Sequence, residues 1–300
     1  MTSSKTQHLT VLQPHPGIYA YYDGRVSGYR FMEEKNWVDD GAIALGIATY
    51  TVVEGKQAFV YDTHVSPEHG AFIREHLNGL GVTDVTVIYS HWHLDHVAGT
   101  SAFNDCDVIA NEKTFHHLNA RKTVIETGQY HGPPAVNPLI LPTQTFSGTM
   151  ELTLGDRRVV LIEANIHSDD ATVLWLPEDG ILLAGDTIED PLTYVDEPAD
   201  FAHHLRDLNH LAALEPRHIL PDHGAPEIIA QGGFGPEVIK AMKRYIQWLM
   251  SLETAPEQAR DRPEDILAVD IEAGTLKWFE PYRDVHAANV AAVLKLYGHA

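Results

Sequence analysis

The order of apolar and polar positions along the chain predicts an α/β fold. Short apolar runs bounded by glycine, proline, asparagine or aspartate predict β-strands at residues 18–22, 48–53, 58–61, 85–89, 107–110, 150–154, 159–162, 171–176, 181–184 and 217–221. Apolar residues at helical spacing predict helices at residues 68–80, 112–120 and 202–214. Because strands are followed by helices in both halves, we expect two packed sheets with helices on the outside.

Two stretches depart from this pattern. Residues 121–149 are rich in glycine and proline, which predicts an irregular loop. From residue 236 onward the pattern is helical, with helices predicted at residues 236–252, around 263–280 and at 284–297. We therefore divide the chain into a main domain at residues 1–235 and a helical extension at residues 236–300. We expect this extension to pack on the main domain, where it could also provide the surface of a homodimer. We favour this interpretation over the alternative, in which the extension is a cap that shapes a pocket.

The charge balance narrows the choice of partners. The chain of 300 residues has 42 acidic and 21 basic residues, and its formal net charge is −21 with the histidines neutral. Nucleic-acid backbones and anionic membranes both favour basic proteins, so we expect neither as a partner. A small-molecule substrate remains, and even an anionic one is allowed, because bound divalent cations can make one pocket of an acidic protein positive.

The N-terminal residues and the single cysteine predict a cytoplasmic protein. Residues 1–8 lack the apolar core of a secretory signal, and no apolar run of membrane-spanning length occurs in the sequence. Cys106 has no second cysteine with which to form a disulfide, which is typical of a reducing compartment.

The strongest chemical signal is a segment in which three histidines and one aspartate directly follow a predicted strand. Its sequence is Ser90-His91-Trp92-His93-Leu94-Asp95-His96. Side chains two residues apart in an extended backbone point to the same side, so His91 and His93 converge on one point. Asp95 and His96 come from the following bend, so the segment can serve two neighbouring cations. Imidazole and carboxylate are ligands that Zn2+ and similar metals accept.

This segment resembles the His-x-His-x-Asp-His run of the metallo-β-lactamase superfamily. That family has three further ligands in a fixed order: a histidine after a later strand, an aspartate after a strand that ends in small residues, and a late histidine before glycine. The sequence supplies His167, Asp186 and His223 in these contexts. The resemblance covers the chain from about residue 15 to about residue 230. It implies an αββα four-layer sandwich, to which the helical extension would be added.

The resemblance also implies a pair of metal ions with a ligand set for each. The first ion would be held by His91, His93 and His167. The second would be held by Asp95, His96 and His223, and Asp186 would bridge the two ions. We expect two Zn2+ ions per chain, although histidine and aspartate ligands also accept Mn, Fe and Co.

The same resemblance implies how such a site would act. A water molecule held between two dications ionises near neutral pH and becomes the nucleophile, while the metals polarise the scissile carbonyl group. Asp95 could orient this nucleophile. Tyr194 follows Asp186 in a position where lactonases of the superfamily place a tyrosine, so we expect it to be a donor to the substrate carbonyl.

Residues beside the ligands have several interpretations. The family often has an aspartate at the position of Asp62, which implies that Asp62 supports a metal ligand from outside. We expect His64 to lie in a surface loop. The family commonly has Thr-x-Gly after its third histidine, whereas this chain has Ser168-Asp169-Asp170. The two acids could bond to ligand histidines, select a cationic group of the substrate or cap a turn.

We interpret the chain as a dinuclear metal-dependent hydrolase that cleaves an ester, lactone or related acyl bond of a small molecule. A β-lactamase and a thioesterase similar to glyoxalase II are alternatives among the hydrolases. A mononuclear iron dioxygenase on the same scaffold is the alternative from another class, and metal count and identity distinguish it. A nuclease is disfavoured by the acidic charge. The loop at residues 121–149 would lie over the site and take part in substrate selection.

Overall fold

Two β-sheets stacked face to face form the centre of the computed structural model, which describes residues 4–299. The first sheet has seven strands, which lie side by side in chain order: β1 (Thr10–His15), β2 (Ile18–Asp23), β3 (Ile47–Glu54), β4 (Gln57–Tyr61), β5 (Asp84–Ile88), β6 (Asp107–Asn111) and β7 (Gln144–Phe146). Neighbours are antiparallel from β1 to β4 and parallel from β4 to β7. Parallel neighbours need crossover connections, and here these carry helices.

The second sheet has five strands: β8 (Thr149–Leu154), β9 (Arg157–Glu163), β10 (Thr172–Leu176), β11 (Ile181–Gly185) and β12 (His218–Pro221). Their order across the sheet is β12-β11-β10-β9-β8. Only the β11–β12 pair is parallel. Strands β9, β11 and β12 therefore end at the same edge of the sheet.

Ten α-helices surround the sheets: α1 (Ile43–Leu45), α2 (Pro67–Gly79), α3 (Leu94–Val97), α4 (Glu112–Glu126), α5 (Phe201–Ala213), α6 (Pro226–Ala230), α7 (Glu237–Ser251), α8 (Pro263–Ile266), α9 (Ala268–Glu272) and α10 (Tyr282–Leu296). This count refers to the described part of the chain. One π-helical turn (Val38–Ala42) precedes α1, and short 3-10 turns occur at Ser4–Thr6, Thr100–Phe103, Pro198–Asp200 and Pro256–Arg260. None of the helices within residues 4–299 is long and apolar enough to cross a membrane.

Three clusters of buried apolar side chains hold these layers together. The inner cluster lies between the sheets and includes Tyr50, Leu161 and Leu174. A second cluster packs α2 and α4 against the first sheet, and a third packs α5, α7 and α10 against the second sheet. Helix α7 buries apolar residues at helical spacing, as a one-sided amphipathic helix does. The predicted αββα sandwich is confirmed.

The carboxyl ends of the central strands meet at one edge of the sandwich, and direct bonds tie the two sheets together there. The backbone N–H of Thr172 donates to the carbonyl oxygen of Ser90 at 2.7 Å. The Tyr61 hydroxyl donates to the carbonyl oxygen of Thr172 at 2.6 Å, and the Tyr50 hydroxyl donates to that of Pro221. Loops that follow strands of different sheets are therefore fixed relative to each other, which a composite site requires.

Several predicted boundaries were wrong. Helix α4 continues to Glu126 rather than residue 120, and β7 lies inside the stretch predicted to be irregular. The helix predicted around residues 263–280 consists only of the short helices α8 and α9, and residues 273–280 are not helical. Helix α3, which was not among the predicted helices, begins at Leu94, so Asp95 and His96 lie in its first turn.

Gly99 offers a test of how closely the segment after β5 packs on the connection between β4 and α2. A Cβ atom at Gly99 would lie 1.9 Å from the carbonyl oxygen of Thr63, which is backbone and cannot rotate away. We expect Gly99→Ala to lower the free energy of unfolding by about 1–3 kcal/mol through overpacking, measured by denaturant unfolding. Gly79→Ala is the control, since a Cβ there would meet no atom within 4 Å. Equal stabilities of the two variants would contradict the predicted packing.

Candidate metal centre

The segment after β5 bends so that its polar side chains face one point. His93 has an extended backbone with φ −64° and ψ 151° and immediately precedes α3. His91 precedes it by two residues in the same short connection, and Asp95 and His96 follow in the first helical turn. Strand β5 is buried at its end, so this connection begins from a fixed position. The predicted convergence of His91 and His93 is therefore present in the structure.

Three imidazole nitrogens, from two different sheets, face one another. His93 Nδ1 lies 3.0 Å from His91 Nε2 and 3.0 Å from His167 Nε2. His167 comes from the connection between β9 and β10, so the second sheet supplies the third nitrogen. This triangle of nitrogens has the size and composition of one face of a tetrahedral metal site.

Hydrogen bonds to the far sides of the rings determine which nitrogens carry lone pairs. The hydroxyl of Ser90 donates to Asp62, so it must accept from His91 Nδ1–H at 2.9 Å. His167 Nδ1–H donates to the carbonyl oxygen of Tyr194 at 3.0 Å. A neutral imidazole protonated on Nδ1 has its lone pair on Nε2, so both Nε2 atoms face the centre as acceptors.

A second group lies directly beside the first. His223 Nε2 lies 3.4 Å and His96 Nε2 lies 3.6 Å from Asp95 Oδ2. His96 Nδ1–H donates to Asp62 Oδ2 at 2.8 Å, and His223 Nδ1–H donates to the carbonyl oxygen of Gly46 at 2.8 Å. In their neutral forms both rings therefore carry the acceptor lone pair on Nε2 as well. The support from Asp62 that the sequence predicted is directed at His96 and Ser90.

Asp186 lies between the two groups. Its Oδ2 atom is 3.2 Å from His96 Nε2 and 3.5 Å from His223 Nε2, and 3.7 Å from the Nε2 atoms of both His91 and His167. Gly185 places it there with a left-handed backbone (φ 56°), and a Cβ atom on Gly185 would lie 2.9 Å from the Tyr61 hydroxyl. Glycine is therefore favoured at position 185, because it adopts the left-handed conformation without strain and because a Cβ atom would be too close to Tyr61.

The pKa values show that the two groups differ in charge. Burial lowers the pKa of His167 to about 4 and that of His93 to about 3, so these rings are neutral at pH 7. Burial also opposes charge on His223, but the carboxylates of Asp186 and Asp95 raise its pKa to about 10. The carboxylate pair therefore attracts positive charge to the second group, whether proton or metal ion.

Two buried atoms in this centre have no hydrogen-bond partner within the described chain, His96 Nε2 and Asp186 Oδ1. Unpaired buried acceptors are costly, because they have lost their bonds to water. A divalent cation would engage these atoms together with the facing nitrogens. The donor set therefore fits a metal, and all seven residues that the resemblance implied are brought together.

The backbone around the centre adopts conformations that side chains rarely allow. Asp62 (φ 66°), His64 (φ 70°) and His167 (φ 66°) all have a left-handed backbone. Such conformations cost free energy and persist where the surrounding structure enforces them. At His167, the backbone carbonyl accepts from the N–H of Asp196 at 3.0 Å, which holds the ring between the two sheets.

A chain of hydrogen bonds that the sequence analysis missed connects helix α10 to His167. The Tyr282 hydroxyl donates to Glu189 Oε2 at 2.9 Å, and Glu189 Oε1 accepts from the N–H of Tyr194 at 2.9 Å. The carbonyl of Tyr194 in turn accepts from His167. Burial and the carboxylate of Asp186 raise the pKa of Glu189 to about 8. The only sequence signal was an acid three residues after Asp186.

The centre opens into a cavity with two adjoining lobes. The aromatic lobe has a volume of about 360 Å3, and its walls include Trp37, Trp92 and Tyr130. The helix lobe has a volume of about 390 Å3, and Pro281, Val285 and other residues of the C-terminal region form one of its walls. The expectation that the helical extension only packs on the main domain was wrong, because it shapes this lobe.

Tyr194 and the predicted loop also reach the cavity. Tyr194 is half-buried and lines both lobes, and its ring centroid lies 5.8 Å from that of His167. Tyr130 and His131, from the stretch at residues 121–149, line the aromatic lobe. The loop is thus in a position to contact a substrate.

The two acids after His167 do not contact ligand histidines. Asp169 Oδ1 pairs with His117 Nε2 at 2.7 Å, and Asp170 accepts from the hydroxyls of Ser168 and Thr114 at 2.8 Å each. Asp170 is fully buried. Of the three interpretations, the capped turn agrees best with these contacts. The bonds to His117 and Thr114 also attach this turn to helix α4.

His64 is fully buried, so its predicted location in a surface loop was wrong. Its ring stacks on His69 with centroids 4.3 Å apart. His69 Nε2 lies 3.0 Å from Asp23 Oδ2 and His69 Nδ1 lies 2.8 Å from the hydroxyl of Ser66. These residue types match a nucleophile triad, but Ser66 is only 2% exposed and no substrate can reach it.

Two stacked sheets with a histidine and aspartate centre at their common edge define a class of metal-binding α/β proteins. The sequence model of the metallo-beta-lactamase superfamily matches residues 43–223, and the chain belongs to this family. A curated relative from Drosophila melanogaster, described as "Beta-lactamase-like protein 2 homolog", is 24% identical over 184 residues. The match covers 60% of this chain and 59% of that relative, so the chain spans less than two thirds of the relative's length.

Solved structures agree on the fold. A metallo-beta-lactamase from Pontibacter korlensis matches with a TM-score of 0.60 and 16% identity, over 80% of this chain and 99% of that chain. The FIM-1 metallo-beta-lactamase from Pseudomonas aeruginosa, in a mono-zinc form, matches with a TM-score of 0.58 and 16% identity, over 80% and 95% of the two chains. Identities this low show a shared architecture only.

Tyr282→Phe tests whether helix α10 supports the metal centre. The variant keeps the ring but removes the bond to Glu189, and we expect metal affinity to fall roughly three- to tenfold. This is less than the 10–100-fold that is typical of direct partners of ligands, because Tyr282 acts through Glu189 and Tyr194. Affinity would be measured by competition with a chelator.

Tyr21→Phe is the control, since Tyr21 lies on β2 of the first sheet and its hydroxyl bonds to His76 of helix α2 at 2.8 Å. Thermal unfolding would show whether both variants keep the fold. An equal loss of affinity in the two variants would mean that the bond between Tyr282 and Glu189 has no specific role.

Proposed function

We propose that this protein is a metal-dependent hydrolase that cleaves an ester, lactone or related acyl bond of a small molecule with two metal ions. The observation that carries the proposal is the position of Asp186 Oδ2, within 3.7 Å of imidazole nitrogens from both ligand groups. A protein that binds one structural metal ion needs neither a second group of ligands nor a cavity beside the ion. Here both groups line a cavity large enough for a small molecule.

Zn2+ is the metal that we propose for both groups. Histidine nitrogens together with aspartate oxygens form a donor set that zinc accepts, and one structural neighbour is described as a mono-zinc form. When bound, the metal ions supply an ionised water as nucleophile and polarise the acyl carbonyl. His91, His93 and His167 would hold one ion, Asp95, His96 and His223 the other, and Asp186 both.

The chain's own side chains would orient the reactants. Asp95 lies at the junction of the two lobes, where its carboxylate could accept a hydrogen bond from the attacking water and set its direction. The phenol of Tyr194 faces the same cavity and could donate to the carbonyl oxygen as negative charge develops there. Glu189 would act as a positioning residue, because it bonds to the backbone of Tyr194 rather than to the substrate.

Two other activities are compatible with the fold. The structural neighbours are metallo-beta-lactamases, so cleavage of a β-lactam amide is the second candidate within the hydrolases. A mononuclear iron dioxygenase is the candidate from another class. The geometry favours the dinuclear hydrolase, because each group has three potential ligands, of which two are buried and one, His93 or Asp95, is partly exposed.

The decisive experiment measures metal content of protein purified without added metal, together with hydrolysis of lactones, aryl esters, thioesters, β-lactams and phosphodiesters. We expect about two zinc ions per chain and turnover of one acyl class. Asp186→Ala should abolish turnover and reduce metal content, whereas Asp156→Ala, on an exposed turn, should change neither. A single iron ion per chain without hydrolysis would replace the proposal by the dioxygenase.

Tyr194→Phe separates substrate activation from metal binding. If the phenol donates to the developing oxyanion, kcat should fall about 10–100-fold while metal content stays unchanged, because the backbone of Tyr194 still accepts from His167. Steady-state kinetics on the best substrate and metal analysis would be compared. An unchanged kcat would assign Tyr194 to the cavity wall alone.

A further inference from the structure

The walls of the cavity differ from its metal-binding floor in charge. Asp196 lines the aromatic lobe, and Asp40 and Asp284 line the helix lobe. All three carboxylates are exposed. Asp40 has a distant ion pair with Lys35 at 3.9 Å, whereas within the described chain no hydrogen bond or ion pair engages the side chains of Asp196 and Asp284. The two lobes therefore present unneutralised negative charge to an entering molecule.

No lysine or arginine among residues 4–299 lines either lobe. Two guanidinium groups lie behind the lining: that of Arg121 is 4.3 Å from the ring centroid of Trp92, and Nε of Arg25 donates to the carbonyl oxygen of Leu45 at 2.7 Å. Neither arginine is part of the cavity wall. A site that binds a carboxylate or phosphate group usually presents a cation or convergent N–H donors to it. Outside the metal ions, this cavity offers no cationic side chain for an anion.

The remaining lining is apolar and in part aromatic. Trp37, Trp92, Tyr130 and Tyr194 surround the aromatic lobe, while alanine, leucine, valine and proline side chains line much of the helix lobe. The rings of Trp92 and Tyr130 lie 5.6 Å apart and inclined at 53°, so they form a corner rather than a flat stack. Aromatic surfaces bind flat apolar groups, and their faces also attract cations.

Bound metal ions would not remove this asymmetry. Asp95 and Asp186 would partly balance their charge, and that charge would act on the carbonyl group at the junction that both lobes share through His93 and Asp95. Groups of the substrate that extend away from the scissile bond meet Asp196 on one side and Asp284 on the other. Their charge is therefore sensed by the walls as well as by the ions.

We propose that the preferred substrate of this site is an acyl compound with a flat apolar group and no negative charge near its scissile bond, and that a positive group extending toward Asp284 is favoured. This inference rests on the proposed hydrolase function and narrows its substrate class. It ranks uncharged and amine-bearing esters or lactones above β-lactams, which carry a carboxylate close to the scissile amide. It also ranks them above phosphodiesters.

The test uses three aryl esters that share their acyl and leaving groups and differ at one end. That end is a trimethylammonium group, its uncharged tert-butyl isostere, or a carboxylate. With the metal-loaded protein, we expect kcat/KM to decrease in the order cationic, neutral and anionic ester. Exposed charge pairs contribute little individually, so each step should amount to roughly two- to tenfold.

Charge substitutions connect this order to named residues. Asp284→Asn and Asp196→Asn should each raise kcat/KM of the anionic ester relative to the neutral one by roughly two- to fivefold. Asp156→Asn, an exposed aspartate on the β8–β9 turn, is the matched control and should leave the ratio unchanged. Any direct binding of the ester's carboxylate to metal ions would be the same in all variants, so it does not affect this comparison. Ratios that are unchanged in both cavity variants would overturn the proposal.

Binding of the corresponding non-hydrolysable amides, measured by titration calorimetry, separates this inference from the hydrolase proposal. If no ester is cleaved but the amides bind in the order cationic, neutral and anionic, the hydrolase proposal fails and the charge selection stands. If the esters are cleaved without regard to charge, or the anionic ester is preferred, the charge selection fails and the hydrolase proposal stands.

Discussion

One carboxylate oxygen constrains the whole arrangement. Oδ2 of Asp186 lies 3.2–3.7 Å from four imidazole nitrogens, two contributed by the turn after β5 and two by loops of the second sheet. Lone pairs and negative charge concentrated in a buried space are stable only around a cation. The surrounding structure satisfies this requirement from outside, through Asp62, the Gly46 carbonyl and the Tyr194 carbonyl, each of which fixes the proton of one ring.

Most of the fold, and the convergence of His91 and His93, could be predicted from local signals in the sequence, whereas the full ligand set of the candidate centre was implied only by the resemblance to a family. Strands marked by short apolar runs end in polar residues, and the carboxyl ends of several strands meet at one edge of each sheet. The C-terminal end of helix α4 was harder to predict. Residues 121–126 are compatible with a helix, and the first glycine comes only at residue 128. Composition averaged over the whole stretch concealed this helical turn.

The contacts that were missed are long-range. Tyr282 and Glu189 are 93 positions apart, and Asn289 bonds to the carbonyl of Thr193 across 96 positions. Nothing in the periodicity of α10 indicates which loop it will meet, because apolar spacing shows only that one face is buried. His64 illustrates the same limit, since a histidine between a strand and a helix gives no sign that it will stack on His69. The buried Ser66, His69 and Asp23 show that matching residue types are not a site unless solvent can reach them.

The wall formed by α10 lies outside the region, residues 43–223, that defines the family. The candidate metal ligands and this wall are thus encoded in different parts of the gene: the candidate ligands in the shared part, and one wall of the helix lobe in residues 281–288. A mutation in α10 that faces the lobe can alter what fits beside the ions without removing a ligand. Under the proposed hydrolase function, changes at one end of the chain would in this way adapt the same mechanism of bond cleavage to new substrates during evolution.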